Sequence, residues 1–242
     1  MQKYEKYMYI CYIMSDKSVA EKNELKCAVW YAALLTALPW IVQIVSVAFS
    51  LQLKQFGLKP LEWGGLSGIF TMPLLHADWG HLISNTPAML LLIFGLFLFY
   101  KRDAWRILLC LYLLSGLLTW FMGRDSTHIG ASGLVYALAA FHFLSGVIKK
   151  VPRQRAFALL VAFLYGGFVW AFFPTLYQGT SVSWEGHLSG LIAGIIFAFY
   201  FRDKGPEPPV YPSLEDENIG GTDGGDDYWD IPEDADLLLH SL

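Results

Sequence analysis

Charge is the scarcest property of this chain. Of 242 residues only 16% are Asp, Glu, Lys or Arg, against 55% hydrophobic, and mean hydropathy is +0.42. So few charges, gathered into short clusters between long uncharged runs, exclude an ordinary soluble domain and predict a multi-pass membrane protein. Cysteine is nearly absent as well. Cys11, Cys27 and Cys110 share no close spacing, which excludes a disulfide framework and a cysteine-based metal motif. The zinc-protease pattern His-Glu-x-x-His is missing, and His76 and His81 are five residues apart, a step that does not align two ligands on one helix face. Asp78 and Asp125 fall in loops, so no paired intramembrane carboxylates are expected. Residues 28–122 and 131–201 do not resemble each other, which argues against an internally repeated transporter. No metal, cofactor or nucleic-acid partner is expected.

A cleavable signal is not expected at the N-terminus. Tyr7 to Met14 is apolar but too short to span, and Lys17, Glu21, Lys22, Glu24 and Lys26 follow it. Residues 1–27 read as a cytoplasmic extension with an interfacial turn near Tyr7–Met14. About 20 apolar residues cross a bilayer as a helix, and six segments qualify: 28–51, 80–100, 104–122, 131–148, 155–174 and 184–201. The stretch 54–79 mixes Trp63, Leu66, Ile69 and Phe70 with Gly57, Gly64, Gly65 and Gly68. It is too apolar for a solvated loop and too glycine-rich for a span, so a partly embedded loop packed on protein is predicted between the first two spans.

Orientation follows from the cations. With the N-terminus inside, only Lys54, Lys59 and Arg124 of the 17 Lys and Arg residues lie on the outer side. Both termini are then cytoplasmic. The six-helix membrane domain occupies 28–204. Beyond it, residues 205–242 carry Pro206, Pro208, Pro209 and Pro212 and then acids from Glu215 to Asp236, which reads as a disordered acidic cytoplasmic tail. A bacterial plasma membrane suits the compact build.

Within this apolar chain a few polar groups stand out. Ser132 opens the fourth span in Gly130-Ala131-Ser132-Gly133, and His187 opens the sixth in Gly186-His187-Leu188-Ser189-Gly190. Both fall near the outward ends of their spans, at matching depth. Polar side chains at membrane depth face the bundle interior and mark function, and a serine that a histidine can reach is an activated nucleophile. His81 and Asn85 lie one turn apart on the second span and can donate hydrogen bonds to a developing oxyanion. Tyr136 is one turn after Ser132, where its ring can pack on the imidazole of His187. Gly190 and Gly194, with Gly130 and Gly133 opposite, supply the small residues that let two membrane helices approach closely. Ser126, Thr127, His128, Ser181 and Ser183 read as the polar rim of a hydrated cavity, and Glu185 as a water-facing acid at a helix start, where the dipole favours it.

Together Gly130-x-Ser132-Gly133 with Tyr136, His187 with Gly190 and Gly194, and His81 with Asn85 preceded by His76 resemble the rhomboid family of intramembrane serine proteases. The resemblance covers roughly residues 28–202. It implies an all-α six-transmembrane-helix bundle with an embedded loop between helices 1 and 2. It also implies Ser132 as nucleophile, His187 as general base, an oxyanion hole of His81, Asn85 and the Ser132 amide, Tyr136 stacked on the base, and His76 shaping a water-filled entrance. The implied partners are the lipid bilayer and membrane proteins cleaved in or beside a transmembrane segment, without metal or cofactor. The chain departs from the family at its first loop, where Glu62-Trp63-Gly64-Gly65 stands in place of a Trp-Arg pair. The competing expectation is an inactive relative that binds membrane clients. Such relatives usually lack the serine or the histidine.

Overall fold

The computed structural model describes residues 2–167 and 183–207, with backbone alone for 2–18 and 20. The chain divides into a compact unit, 1–208, and a terminal segment, 209–242. The expected acidic tail lies almost wholly outside the described residues, as do residues 168–174 of the predicted 155–174 span.

Among the described residues the unit holds six longer helices. They are α1 (Gln2–Ala48), α3 (Trp79–Tyr100), α4 (Ala104–Met122), α5 (Ser132–Lys149), α6 (Pro152–Tyr165) and α7 (Trp184–Tyr200), with a single turn, α2 (Gly68–Thr71), in the first loop. Among the described residues there is no strand, only one isolated antiparallel bridge between Leu58 and His128. Helix breaks fall where the sequence places charge or proline. α3 ends on Lys101 with φ of 35°, and α5 ends on a left-handed Lys150 before Pro152 opens α6. The start of α3 is capped by the Asp78 carboxylate, which accepts from the His81 N–H at 2.8 Å.

One expectation is corrected at the N-terminus. The extension and the first span are one continuous 47-residue helix, with no interfacial turn near Tyr7–Met14. Proline at position 39 does not end it. Glu21–Ala48, Trp79–Met122 and Ser132–Lys149 are long and apolar enough to cross a membrane, and the second of these contains both α3 and α4. α7, at 17 residues, is shorter than these three.

α5 occupies the centre, packed on α3, α4, α6 and α7. Leu92, Ile93 and Leu96 of α3, Ile107 and Leu111 of α4, and Val135, Leu138 and Phe141 of α5 are fully buried around it. Large apolar side chains also cover the outside, among them Trp30 and Leu34 of α1, Leu159 and Phe163 of α6, and Phe199 and Tyr200 of α7. Exposed apolar surface on this scale is what lipid, not water, would cover.

The first loop is anchored by α4, not by an arginine of its own. Trp120 donates from Nε1 to the Glu62 carbonyl at 3.0 Å and accepts at its own carbonyl from the Leu61 N–H at 3.1 Å. The Tyr112 hydroxyl donates to the Phe70 carbonyl at 2.6 Å. The Thr71 hydroxyl donates to the Phe56 carbonyl, tying the loop to itself.

Candidate active site

Ser132 is the first residue of α5 and His187 lies in the first turn of α7. What brings these two helix ends together is an absence of side chains. A Cβ on Gly190 would sit 2.0 Å from the Gly133 carbonyl oxygen and 3.1 Å from the Ala137 nitrogen. One turn further on, a Cβ on Gly194 would sit 2.4 Å from the Ala137 carbonyl oxygen. Gly133 in turn faces the Gly186 carbonyl, its own Cβ position 3.1 Å away. The backbones of α5 and α7 are thus in direct contact along the first turns of both helices, the arrangement that small residues permit between membrane helices. Ser132 and His187 each directly neighbour one of those contact residues.

The ring of Tyr136 stacks on the imidazole of His187 with centroids 4.2 Å apart and planes 13° from parallel. Since Tyr136 and Ser132 share a face of α5 one turn apart, the stack holds the imidazole beside the face that begins with Ser132. His187 is 8% exposed and Ser132 is half-buried. α7 itself is fixed at its start: the Ser183 hydroxyl accepts from the Gly186 N–H at 3.1 Å, and its carbonyl accepts from the His187 N–H at 3.3 Å.

His81 and Asn85 stand at the start of α3, facing the turn that precedes Ser132. Gly130 adopts φ of +117°, and a Cβ there would lie 2.6 Å from His81 Cε1 and 2.9 Å from Nε2. Gly130 therefore makes room for the His81 ring, while Gly133, Gly190 and Gly194 carry the helix–helix approach, a division the sequence pattern alone did not separate. Its N–H donates to the Met72 carbonyl at 2.9 Å, pinning the turn to the first loop. Asn85 is 7% exposed and donates from Nδ2 to the His81 carbonyl at 3.0 Å. An amide nitrogen carries two hydrogens, so a second donor is left for a ligand. The first intrahelical bond of α5 runs from the Val135 N–H to the Ala131 carbonyl at 3.0 Å. The Ser132 and Gly133 amides consequently have no acceptor within the helix. Imidazole, carboxamide and free amide form a donor set suited to a developing oxyanion.

Three expectations change on inspection. His76 does not shape an open entrance: it is 1% exposed, its Nε2 receives the Ala131 N–H at 3.5 Å, and its ring meets that of His81 edge to face at 5.1 Å. Burial, with the neighbouring His81 adding to it, lowers its pKa to about 4, in keeping with a neutral ring that accepts at Nε2. Glu185 is not water-facing. It is 3% exposed, with one carboxylate oxygen 3.6 Å from Nε of Arg124. His128 is likewise buried, not part of a polar rim, whereas Ser126 and Thr127 are exposed as expected and Ser181 lies outside the described residues. The contacts of Arg124, His128 and Ser183 escaped the sequence reading. Ser183 ahead of Trp184-Glu185 has the form of a helix cap and was the one legible signal.

Comparison with known proteins bears on the same segment. The family described as "Rhomboid domain" matches residues 64–204. Uncharacterized protein Rv1337 of Mycobacterium tuberculosis is 36% identical over 170 residues, covering 67% of this chain and 70% of that protein. Uncharacterized protein ML1171 of Mycobacterium leprae is 32% identical over 170 residues, covering 67% of each.

Proposed function

Because the chain belongs to the rhomboid family, we propose that it is an intramembrane serine endopeptidase working through Ser132 and His187. The observation that carries this reading is the Tyr136–His187 stack at 4.2 Å, on a helix pair whose backbones touch at Gly133 and Gly190. A packing serine alone would require no oriented histidine beside it.

In this mechanism His187 takes the Ser132 hydroxyl proton as Oγ attacks a peptide carbonyl. The oxyanion is received by His81, Asn85 and the Ser132 amide. The imidazolium returns its proton to the leaving amine, which departs and leaves an acyl-enzyme. His187 then deprotonates a water that cleaves the ester and restores the serine. Tyr136 keeps the imidazole in plane throughout, and His76 holds Ala131, just before the nucleophile, and the His81 ring.

The protein sits in a bacterial plasma membrane with both termini cytoplasmic, and its site opens to the outer side, where water is available. Its substrates are single-span or other membrane proteins cut within or beside a transmembrane segment. Co-reconstitution in liposomes with tagged single-span proteins tests this. Cleavage by the native chain and none by Ser132→Ala is expected. Equal capture of the same proteins by both forms, without cleavage, would instead support a client-binding relative.

A further inference from the structure

His128 is buried at 3% exposure in the loop between α4 and α5, and it touches three separate parts of the chain. Its backbone pairs with Leu58 of the first loop in both directions, at 2.9 and 2.8 Å. Its Nε2 lies 3.0 Å from the Arg124 carbonyl and 3.3 Å from the Ser126 hydroxyl. Its Nδ1 lies 2.6 Å from Oγ of Ser183, the cap of α7. Gly123 lies close against the ring, since a Cβ there would sit 2.9 Å from Nε2.

The direction of these bonds follows from chemistry. A carbonyl only accepts, so Nε2 carries the proton that faces Arg124. In the neutral ring Nδ1 is then an acceptor, and the Ser183 hydroxyl must donate to it. That hydroxyl simultaneously accepts from the Gly186 N–H. The result is a directed chain from the Gly186 amide through Ser183 and His128 to the Arg124 carbonyl. Both ends of the candidate dyad hang on it. Ser183 bonds the backbone of Gly186 and His187 on one side, and Ser132 follows His128 by four residues on the other.

We infer that His128 is a positioning residue that sets the register of Ser132 against His187 by fastening the nucleophile's loop to the cap of the base-carrying helix. The inference rests on the serine-protease reading above. It assigns His128 no contact with substrate. A loop histidine that merely filled space would need neither a short bond to a helix cap nor a second, oppositely directed bond within its own loop.

The test uses the full-length protein in detergent and a fluorophosphonate as probe. Labelling is measured at saturating probe and well below each variant's unfolding midpoint. His128→Ala is expected to label about tenfold more slowly or worse, because small misplacements of reacting groups are costly, with half-saturation by probe little changed. Ser183→Ala, which cuts the same link and also uncaps the Gly186 N–H while keeping the histidine, is expected to be at least as slow. The double variant should lose less than the two singles combined, since the link they share is lost only once. His128→Asn places an acceptor near the position of Nδ1 and should recover most of the rate. If His128→Ala does not fold, Ser183→Ala decides. Variants within twofold of the native rate, additive losses in the double variant, or an Asn form as slow as the Ala form would each overturn the inference. A native chain that does not label would remove the underlying reading and this inference with it.

Discussion

Gly190→Ala is the smallest change that separates the helices without altering a polar side chain. The added methyl would sit 2.0 Å from the Gly133 carbonyl oxygen, where ordinary contact begins near 3.4 Å. Both partners are helix backbone, so neither can turn aside, and α5 and α7 must part by about 1 Å or more. Overpacking of this kind costs about 1–3 kcal/mol, offset in part by about 1 kcal/mol of helix propensity gained over glycine. Stability therefore falls modestly. Catalysis should fall much further, because a displacement of about 1 Å between reacting groups costs on the order of 100-fold. Gly64→Ala is the matched control, since nothing lies within 4 Å of a Cβ there. The assay is fluorophosphonate labelling in detergent, with thermal unfolding recorded on the same samples. Expected are a folded Gly190→Ala protein that labels about 100-fold slower and a Gly64→Ala protein indistinguishable from native. A Gly190→Ala protein labelling at the native rate would refute the claim that backbone contact between α5 and α7 sets the site.

Asn85→Ala should slow labelling by about tenfold or more, less than loss of the dyad, because a single oxyanion donor contributes about 4 kcal/mol at most; a loss as deep as that of Ser132→Ala would mean that Asn85 serves folding instead. His76 supplies a pH signature. Its folded pKa of about 4 lies below the unfolded value near 6.5, so the unfolded chain binds the proton first and stability falls as pH drops from 6.5 toward 4. The full loss is about 3 kcal/mol at 1.36 kcal/mol per pKa unit, and His76→Gln should flatten the unfolding-midpoint profile over that window. An unchanged profile would show that His76 does not stay neutral on folding.

What was legible in the sequence is what depends on local runs. Uninterrupted apolar stretches bounded by Lys101-Arg102-Asp103 and by Lys149-Lys150 with Pro152 mark α3, α4 and α5 and the start of α6 to within a few residues. Ser132, Tyr136, His187 and the glycines were legible because their spacings match helix periodicity, and the contacts of Gly190 and Gly194 with α5 follow that periodicity. The continuous α1 was hidden because charged residues 17–26 suit either a helix surface or a loop. Glu185 and His128 were misread for a different reason. A polar side chain near a predicted span end reads as solvent-facing unless its partner is known, and their partners, Arg124 and Ser183, come from other segments. The anchoring of the first loop was illegible on the same ground, since Tyr112 and Trp120 do it from a helix some 50 residues away in sequence.

The central claim is that Ser132 is activated by His187 inside a membrane domain. Fluorophosphonate labelling of the purified native chain, Ser132→Ala and His187→Ala tests it most directly. The account predicts labelling of the native chain alone, with all three forms folded and sharing one unfolding transition. Labelling of His187→Ala at the native rate, or of a folded native chain not at all, would contradict it.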